Sequence, residues 1–385
     1  MNAETASSLI EIDPALVKQN LSFIRGKLKK GVKLSAVIKG NAYGHGIEQM
    51  VPLLEEEGVN HFSVYGIEEA NQFHKCSSEG SRLMVMGYID PENFETTLRR
   101  GDEFFVYDLD EFKIAIAEAK KIGLKARVHL EFETGMNRTG MDESHLEEVV
   151  KLIVGNKPLL HLAGICTHFA GAESISNYYR IKKQRLRFKR YLNYFREKGV
   201  EFEVRHAACS AAMLRYPDTQ YDMVRSGILI YGYWPNRETL IDYLTKNDLH
   251  RDPLTSVLTW KSKVMTIKKV DKGEYVGYGT SYLTNRKTTI AIIPIGYAYG
   301  YSRVLSNQGR ALVNGQRVGV VGTVNMNMLA LDVTEVEDVK KGSEVVFIGT
   351  QGERRISVAS FGELSSQLNY ELLARLPHNI PRIII

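Results

Sequence analysis

Short β-branched runs alternate with segments of helical periodicity from Ser8 to about Tyr231. The segments between the runs are amphipathic, as in DLDEFKIAIAEAKKIG. The predicted strands are Leu34–Ile38, His61–Val64, Leu83–Met86, Glu103–Val106, Ala126–Phe132, His161–His168, Phe202–His206 and Asp222–Val224. Eight strand–helix units in about 200 residues favour a (β/α)8 barrel over an open doubly wound sheet, although periodicity alone does not prove closure.

The pattern changes after residue 245. Runs such as VLTWKSKVMTIKKV, TTIAIIPIG and ALVNGQRVGVVG are rich in β-branched residues, and Asn314-Gly315 is a hairpin signal. One helical segment, SVASFGELSSQL, interrupts them. We therefore predict an α/β plus β architecture, with a barrel domain at residues 1–245 and a mostly β domain at 246–385. A first strand at about residues 8–12 is a candidate member of the β domain.

Composition narrows the classes of function. The hydrophobic content of 44% and the charged content of 25% are ordinary for a globular protein, and no apolar run is long enough to span a bilayer. The basic cluster Arg180–Gly199 carries apolar residues at helical spacing, which favours the solvated face of a helix over a nucleic-acid surface. Cys76, Cys166 and Cys209 show neither disulfide nor metal-ligand spacing. We expect a soluble cytoplasmic protein with no metal site and no nucleic-acid or membrane partner.

Polar or cationic residues follow five of the predicted strands, and in a parallel barrel catalytic sites form where the strands end. These residues are Lys39, Arg138 in the loop ETGMNRTG, His168, the group His206, Cys209 and Ser210 after FEVRH, and the pair Arg225 and Gly227 after YDMV. Together they predict one cationic site, for which a small anionic ligand such as a phosphate is the natural partner.

The stretch AVIKGNAYGHG ends an apolar strand with Lys39 and continues with three glycines. An ammonium group buried at such a place costs several kcal/mol or has a depressed pKa. Lys39 therefore either reaches solvent or is held for chemistry. A desolvated lysine beside cationic groups is a nucleophilic amine near neutral pH.

Seven motifs together resemble the alanine racemase family, which consists of pyridoxal-phosphate enzymes of barrel fold type III: AVIKGNAYGHG, ETGMNRTG, THFA, AACSAAMLR, MVRSGILIYG, VGYGTSY and IPIGYA. The resemblance covers essentially the whole chain. It implies a barrel with a C-terminal β domain, pyridoxal 5′-phosphate as the cofactor, and a homodimer with shared active sites. The implied reaction interconverts L- and D-alanine, a precursor of peptidoglycan.

The resemblance also implies a two-base mechanism on a pyridoxal-phosphate aldimine. Lys39 would form the Schiff base, and Tyr278 of VGYG would act from the partner subunit on the opposite face. An unperturbed phenol has a pKa near 10, so Tyr278 needs help to act as a base. His168, beside the cofactor ring, and Arg225 could supply that help through a hydrogen-bonded chain. The neighbouring Tyr275 is interpreted as an ordinary sheet residue.

Further contacts follow from the same resemblance. Arg225 would face the pyridine nitrogen and, because a guanidinium stays charged, keep that nitrogen unprotonated. Arg138 would contact the phenolic oxygen of the cofactor and the substrate. The phosphate would be held by Tyr43, Ser210, His378 and the backbone amides of Gly227 and Ile228. The backbone amide of Met326 would bind the substrate carboxylate across the dimer, and Tyr297 and Asn327 would line the access channel.

Several positions depart from the family pattern. Glu131 stands where the family often carries a carbamylated lysine, so we expect it to pair with Arg138 without any modification. Asn327 and Tyr299 replace the usual aspartates of the channel, which predicts a less acidic entrance. His378 replaces a tyrosine that limits substrate size, and such changes can redirect substrate preference.

Alanine is the first choice of substrate, and a racemase preferring serine or a broader range of amino acids is the alternative. A fold-related basic amino-acid decarboxylase is a further alternative, but those enzymes use a cysteine from the second domain, and all three cysteines here lie in the barrel half. A non-catalytic pyridoxal-phosphate carrier resembles the barrel alone and would leave the β domain and Tyr278 without a purpose.

Overall fold

The computed structural model describes residues 6–365 and 369–385. The chain forms two compact units: a barrel unit of residues 18–39 and 50–255, and a sheet unit made from the segment ending at Val17 together with residues 40–49 and 256–385.

The strands, in chain order, are β1 (Ser8–Ile12), β2 (Lys33–Val37), β3 (His61–Val64), β4 (Arg82–Val85), β5 (Glu103–Val106), β6 (Ala126–Glu131), β7 (Leu160–Cys166), β8 (Val204–His206), β9 (Met223–Ser226), β10 (Leu258–Lys263), β11 (Thr266–Val270), β12 (Thr288–Ile293), β13 (Arg310–Val313), β14 (Gln316–Val321), β15 (Leu329–Asp332), β16 (Glu344–Gln351), β17 (Arg354–Ile356) and β18 (Arg382–Ile384). The helical segments are α1 (Pro14–Arg25), α2 (Lys39–Tyr43), α3 (Ile47–Glu56), α4 (Ile67–Cys76), α5 (Phe94–Arg100), α6 (Leu109–Ile122), α7 (Leu146–Gly155), α8 (Tyr178–Glu197), α9 (Ser210–Arg215), α10 (Arg237–Lys246), α11 (Val358–Ser365) and α12 (Asn369–Ala374).

The barrel unit contains, within the described residues, eight parallel strands in the order β8-β7-β6-β5-β4-β3-β2-β9. Across the remaining seam, Asp222 N donates to Arg205 O and Arg225 N donates to Ala208 O, both at 3.0 Å. These bonds bring β8 beside β9, so the predicted barrel is confirmed. Two observed strands, β3 and β5, match the predicted ranges, and the ends of the others differ by at most two residues, as is usual for element boundaries.

The barrel interior has an apolar layer and a polar one. The apolar layer contains Met84, Phe105, Cys166, Val204 and Met223. The polar side chains are buried as deeply as the apolar ones; they are Ser35, His61, Ser63, Glu103, His129 and His206. Helix α8 is the predicted amphipathic helix, since its buried residues, such as Ile181, Phe188 and Phe195, share one face.

The sheet unit has ten strands among the described residues, in the order β11-β12-β15-β14-β13-β16-β10-β1-β18, with β17 paired to β16. Strand β1 is antiparallel to β10 and parallel to β18. The rings of Trp260, Tyr301 and Phe347 pack in its core, with centroids 5.1–6.2 Å apart. The hairpin of β13 and β14 turns at Asn314 (φ 48°) and Gly315 (φ 74°), as the sequence predicted.

Within residues 6–365 and 369–385, no helix has the length and apolar character needed to cross a bilayer. The predicted helical segment SVASFGELSSQL corresponds to α11, and its last three residues, 366–368, lie outside the described residues.

Candidate active site

Lys39 follows β2 and opens a left-handed turn. The φ angles of Gly40, Asn41, Ala42 and Tyr43 are 65°, 53°, 53° and 51°. This conformation costs residues other than glycine roughly 1–2 kcal/mol each, so tertiary contacts must hold it. The Asn41 Oδ1 atom accepts a hydrogen bond from Ile47 N at 3.0 Å, and Gly44 N donates to Gly40 O at 2.9 Å.

The surroundings of Lys39 favour a neutral amine. The side chain remains accessible to solvent rather than buried in the strand end, as a group that must reach a ligand requires. Desolvation by the surrounding protein lowers the pKa of Lys39, and the positive charges of Arg138 and Arg225 lower it further, against an opposing effect of Glu69. The structure thus brings Lys39, Arg138 and Arg225 into one cationic environment.

Arg225 lies within β9 and is 5% exposed. Its Nη1 atom bonds His206 Nδ1, and its Nη2 atom donates to Thr167 O at 3.0 Å. Arg225 Nη2 also lies 3.4 Å from His168 Nδ1. Contacts from several sides therefore fix the direction of this guanidinium. A hydrogen-bonded chain from Arg225 and His168 to Tyr278 stays a prediction.

His168 lies two residues beyond the end of β7. Burial lowers its pKa to about 3, and the charges of Arg225, Arg138 and Lys39 act in the same direction. The imidazole is therefore neutral at ordinary pH. A neutral ring can both donate and accept a hydrogen bond, which a relay between Arg225 and another group requires.

The direct ion pair expected between Glu131 and Arg138 is wrong. Glu131 is 4% exposed, and its Oε2 atom accepts a hydrogen bond from Thr139 Oγ1 at 2.8 Å. Among the described residues, no cation lies within 4.0 Å of this carboxylate. Burial raises the pKa of Glu131, while Arg225 and Arg138 lower it from a greater distance. The Glu131 carboxylate therefore bonds Thr139, the residue after Arg138, instead of the Arg138 guanidinium.

A set of hydrogen-bond donors stands at the end of β9. Gly227 N donates to Ser210 Oγ at 3.1 Å, and Ser210 Oγ lies 3.2 Å from Ser226 Oγ. The backbone N–H of Ile228 has no acceptor in the described part of the chain. A hydroxyl and backbone amides of this kind suit an anion such as phosphate.

Four residues predicted from the sequence meet in the sheet unit. Tyr278, Tyr297, Met326 and Asn327 line an open cavity of about 520 Å³. The Tyr278 side chain is 76% exposed, and the glycines on either side of it have φ angles of 77° and 71°. The Met326 carbonyl accepts from Ala298 N at 2.9 Å, while the Met326 N–H finds no acceptor within residues 6–365 and 369–385. Tyr299 is half-buried in the same short helical turn as Tyr297.

Arg382 is a residue that the sequence reasoning missed. Tyr43 packs against Tyr370 with ring centroids 5.9 Å apart, and the His378 side chain is exposed. Arg382 Nε donates to Gly44 O at 3.0 Å, and its Nη1 atom donates to His378 O at 3.1 Å. It therefore joins the turn after Tyr43 to the loop of His378, and burial lowers its pKa to about 10. Its position in LPHNIPRIII gave no periodicity signal.

The ends of the barrel strands gather an accessible amine and two guanidinium groups. The same chain carries a β domain with an exposed tyrosine. This combination defines a class of lysine-dependent barrel enzymes. Residues 12–235 match the model of the alanine racemase N-terminal domain, and residues 257–384 match that of the C-terminal domain. The chain belongs to the alanine racemase family.

Individual relatives agree with this assignment. The alanine racemase of Leptospira interrogans is 35% identical, and the match covers 99% of this chain and 97% of that protein. The structure of alanine racemase from Clostridium difficile 630 has a TM-score of 0.90 at 30% identity and covers 99% of this chain and 96% of its own. Alanine racemase from Bartonella henselae with covalently bound pyridoxal phosphate has a TM-score of 0.85 at 26% identity, covering 99% of this chain and 100% of its own.

Proposed function

We propose that this chain is an alanine racemase that interconverts L- and D-alanine with pyridoxal 5′-phosphate. The observation that carries the proposal is the Lys39 amine, whose pKa is lowered by desolvation, Arg138 and Arg225 at the ends of the barrel strands. Membership of the alanine racemase family supports the substrate class.

The donor set fits pyridoxal phosphate, which is anionic and carries an aldehyde. Lys39 offers the amine that an aldehyde requires, and the Ser210 hydroxyl and the Ile228 N–H offer neutral donors for a phosphate. The resemblance assigns the Gly227 N–H, which donates to Ser210 Oγ here, to the same group. The resemblance adds Tyr43 and His378 to this phosphate group. When bound, the cofactor would supply the electron sink that makes the α-proton of an amino acid acidic.

The residues of the chain would then handle the proton and the substrate. Lys39 Nζ holds or accepts the proton on one face of Cα, and the partner's Tyr278 does so on the other. Arg225, which stays charged, would hold the pyridine nitrogen unprotonated. Arg138 and the Met326 N–H, which has no acceptor in the described residues, would bind the substrate carboxylate.

We also propose a homodimer with shared active sites, in which residues 246–385 of one chain complete the barrel at residues 1–245 of the other. The 76% exposure of Tyr278, beside a cavity that also contains Tyr297 and Asn327, supports this arrangement. Specific activity should fall on dilution as the dimer dissociates. Constant specific activity in dissociated protein would contradict the shared site. Cys76, Cys166 and Cys209 form no disulfide in the described part of the chain. The cytoplasmic location stays a prediction.

The test of the function is a panel of L-amino acids incubated with the full chain and pyridoxal phosphate in deuterated water, followed by chiral product analysis. Uptake of deuterium at Cα with loss of chirality, fastest for alanine, is the expected result. A faster reaction with serine would support the broader racemase and the influence of His378. Release of carbon dioxide without a D-amino acid would overturn the proposal in favour of a decarboxylase.

A further inference from the structure

The polar layer inside the barrel contains ionisable side chains that the proposed mechanism does not use. Glu103, His129 and His206 are 1%, 0% and 0% exposed, and His61 is 5% exposed. The interior of such a barrel is ordinarily filled with apolar side chains, and a buried ionisable group is costly unless it is hydrogen-bonded. Hydrogen bonds join Glu103, His129, His206 and Arg225 in one continuous row. His61 bonds Glu103 from outside this row.

The hydrogen bonds of the row have only one consistent direction. A guanidinium can only donate, so the bond from Arg225 Nη1 requires a lone pair on His206 Nδ1. The proton of the neutral His206 ring is then on Nε2, which lies 2.8 Å from His129 Nδ1 and donates to it. His129 must in turn carry its proton on Nε2, which lies 2.7 Å from Glu103 Oε2. Neither ring can be doubly protonated without breaking one of these bonds.

Glu103 is the acceptor at which the row ends. Its Oε1 atom accepts from Arg82 Nε at 2.7 Å and from Arg127 Nη2 at 3.3 Å, while Oε2 also accepts from His61 Nε2 at 3.2 Å. Burial alone would raise the pKa of the Glu103 carboxyl, but the hydrogen bonds from His129 and His61 hold it well below its ordinary value. Donors approach both oxygens, so only a carboxylate satisfies all of them.

We propose that Glu103 is a positioning residue for Arg225: through His129 and His206 it fixes the ring protons so that His206 presents a lone pair to the guanidinium. Arg225 Nη1 is then held by an acceptor inside the barrel, while its Nη2 atom donates to Thr167 O. The proposal rests on the proposed function only in treating Arg225 as part of the cofactor site.

The substitution Glu103→Gln should reverse the row. The amide oxygen is expected to face the two guanidinium groups of Arg82 and Arg127, which leaves the amide NH2 facing His129 Nε2. His129 would then donate from Nδ1, and the proton of His206 would move to Nδ1, directly against Arg225. Two donors would face each other, and Arg225 would be displaced.

The test measures the ring protons directly in the full chain, with and without added pyridoxal phosphate. Histidine is labelled with ¹⁵N in the ring, and long-range ¹H–¹⁵N spectra report which nitrogen carries the proton. The substitutions His129→Gln and His206→Gln assign the signals. In the wild type both rings are expected as Nε2–H, and in E103Q the His206 proton is expected on Nδ1, with a fall in kcat of up to about 100-fold from the displaced Arg225.

His61→Gln is the matched control, because it changes a donor to the same carboxylate oxygen without touching the row to Arg225. It should leave the His206 signals as in the wild type. A wild-type His206 with its proton on Nδ1, a doubly protonated ring, or an E103Q pattern equal to the wild type would overturn the proposal. The wild-type spectrum decides the matter even if E103Q fails to fold. It also does so if the chain racemises no amino acid, so the two proposals fail separately.

Discussion

The charges of Arg138 and Arg225 lower the pKa of Lys39, and this effect can be tested by removing one of the two charges. Arg138→Gln takes away a positive charge and should therefore raise the pKa of Lys39. The pH at which the amine reacts half-maximally with an amine-specific acylating reagent should move upward, as read by mass spectrometry of the Lys39 peptide.

Arg180→Gln is the control for that experiment, since Arg180 donates to Gly135 O in the same loop but is not among the charges that act on Lys39. Its midpoint should equal that of the wild type. A midpoint for R138Q that stays in place or moves downward would show that the charge of Arg138 does not lower the pKa of Lys39.

Tyr278 is the second residue whose role can be isolated by a single atom. Tyr278→Phe removes only the hydroxyl of a side chain that is 76% exposed, so the fold should be unaffected. If the hydroxyl moves a proton, racemisation should fall by about 10²–10⁴-fold. Chiral chromatography of the product measures the rate, and far-ultraviolet circular dichroism checks the fold.

Tyr275→Phe is a matched comparison, because Tyr275 is 53% exposed and only three residues away. Its rate should remain within about twofold of the wild type. Equal losses in the two variants would assign the effect to the loop rather than to a proton carried by Tyr278.

At the scale of elements, the left-handed turn after Lys39 depends on a close backbone approach. A Cβ atom at Gly44, where φ is 79°, would lie 2.0 Å from the carbonyl oxygen of Leu373. Gly44→Ala should therefore lower the free energy of unfolding by more than the roughly 1–2 kcal/mol that the backbone conformation alone costs. Urea denaturation followed by fluorescence gives the value.

Gly31→Ala separates the two contributions, since Gly31 has φ 82° but nothing within 4 Å of its Cβ position. It should show the conformational cost alone. If both variants lose the same stability, the contact with Leu373 contributes nothing.

The sequence predicted the barrel strands because each is a short β-branched run with its own local signal. It could not predict the left-handed turn, because Asn41, Ala42 and Tyr43 adopt positive φ only under contacts made far along the chain. The predicted Glu131–Arg138 pair is wrong for a related reason. A position in a strand determines the direction of a side chain, but it does not determine which neighbouring residue forms the hydrogen bond.

The row from Arg225 to Glu103 is likewise absent from any local pattern. Its members come from strands β9, β8, β6 and β5, and of these only His206 and Arg225 could be grouped beforehand, as residues at strand ends. Only closure of the barrel brings them within hydrogen-bond distance. By contrast, Lys39, Arg138, His168 and Arg225 could be grouped beforehand, because the ends of parallel strands converge by topology.

At the scale of the whole molecule, several buried histidines make stability depend on pH. Burial lowers the pKa of His45 to about 4 and that of His168 to about 3, and burial also lowers the pKa of His129 and His206. Below the ordinary value of about 6.5, the unfolded chain binds protons that the folded chain does not. The free energy of unfolding should therefore fall as the pH drops from 6.5 toward 4.

His45 and His168 each contribute a loss of about 1.4 kcal/mol per pH unit in that window, and His129 and His206 act in the same direction. Urea midpoints at pH 7.5, 6.0 and 5.0 measure it. A midpoint that is unchanged or that rises toward pH 5 would mean that these rings are already protonated in the folded chain.

The pairing of strand β1 has a consequence for folding during synthesis on the ribosome. Its antiparallel neighbour β10 is synthesised about 250 residues later, after the whole barrel unit has emerged. At about 5–20 residues per second, Ser8–Ile12 waits for about 12–50 s with both edges unpaired. During that time an apolar strand is a template for pairing with other nascent chains. The barrel should therefore fold first, and β1, although translated before the barrel strands, should be among the last strands to pair.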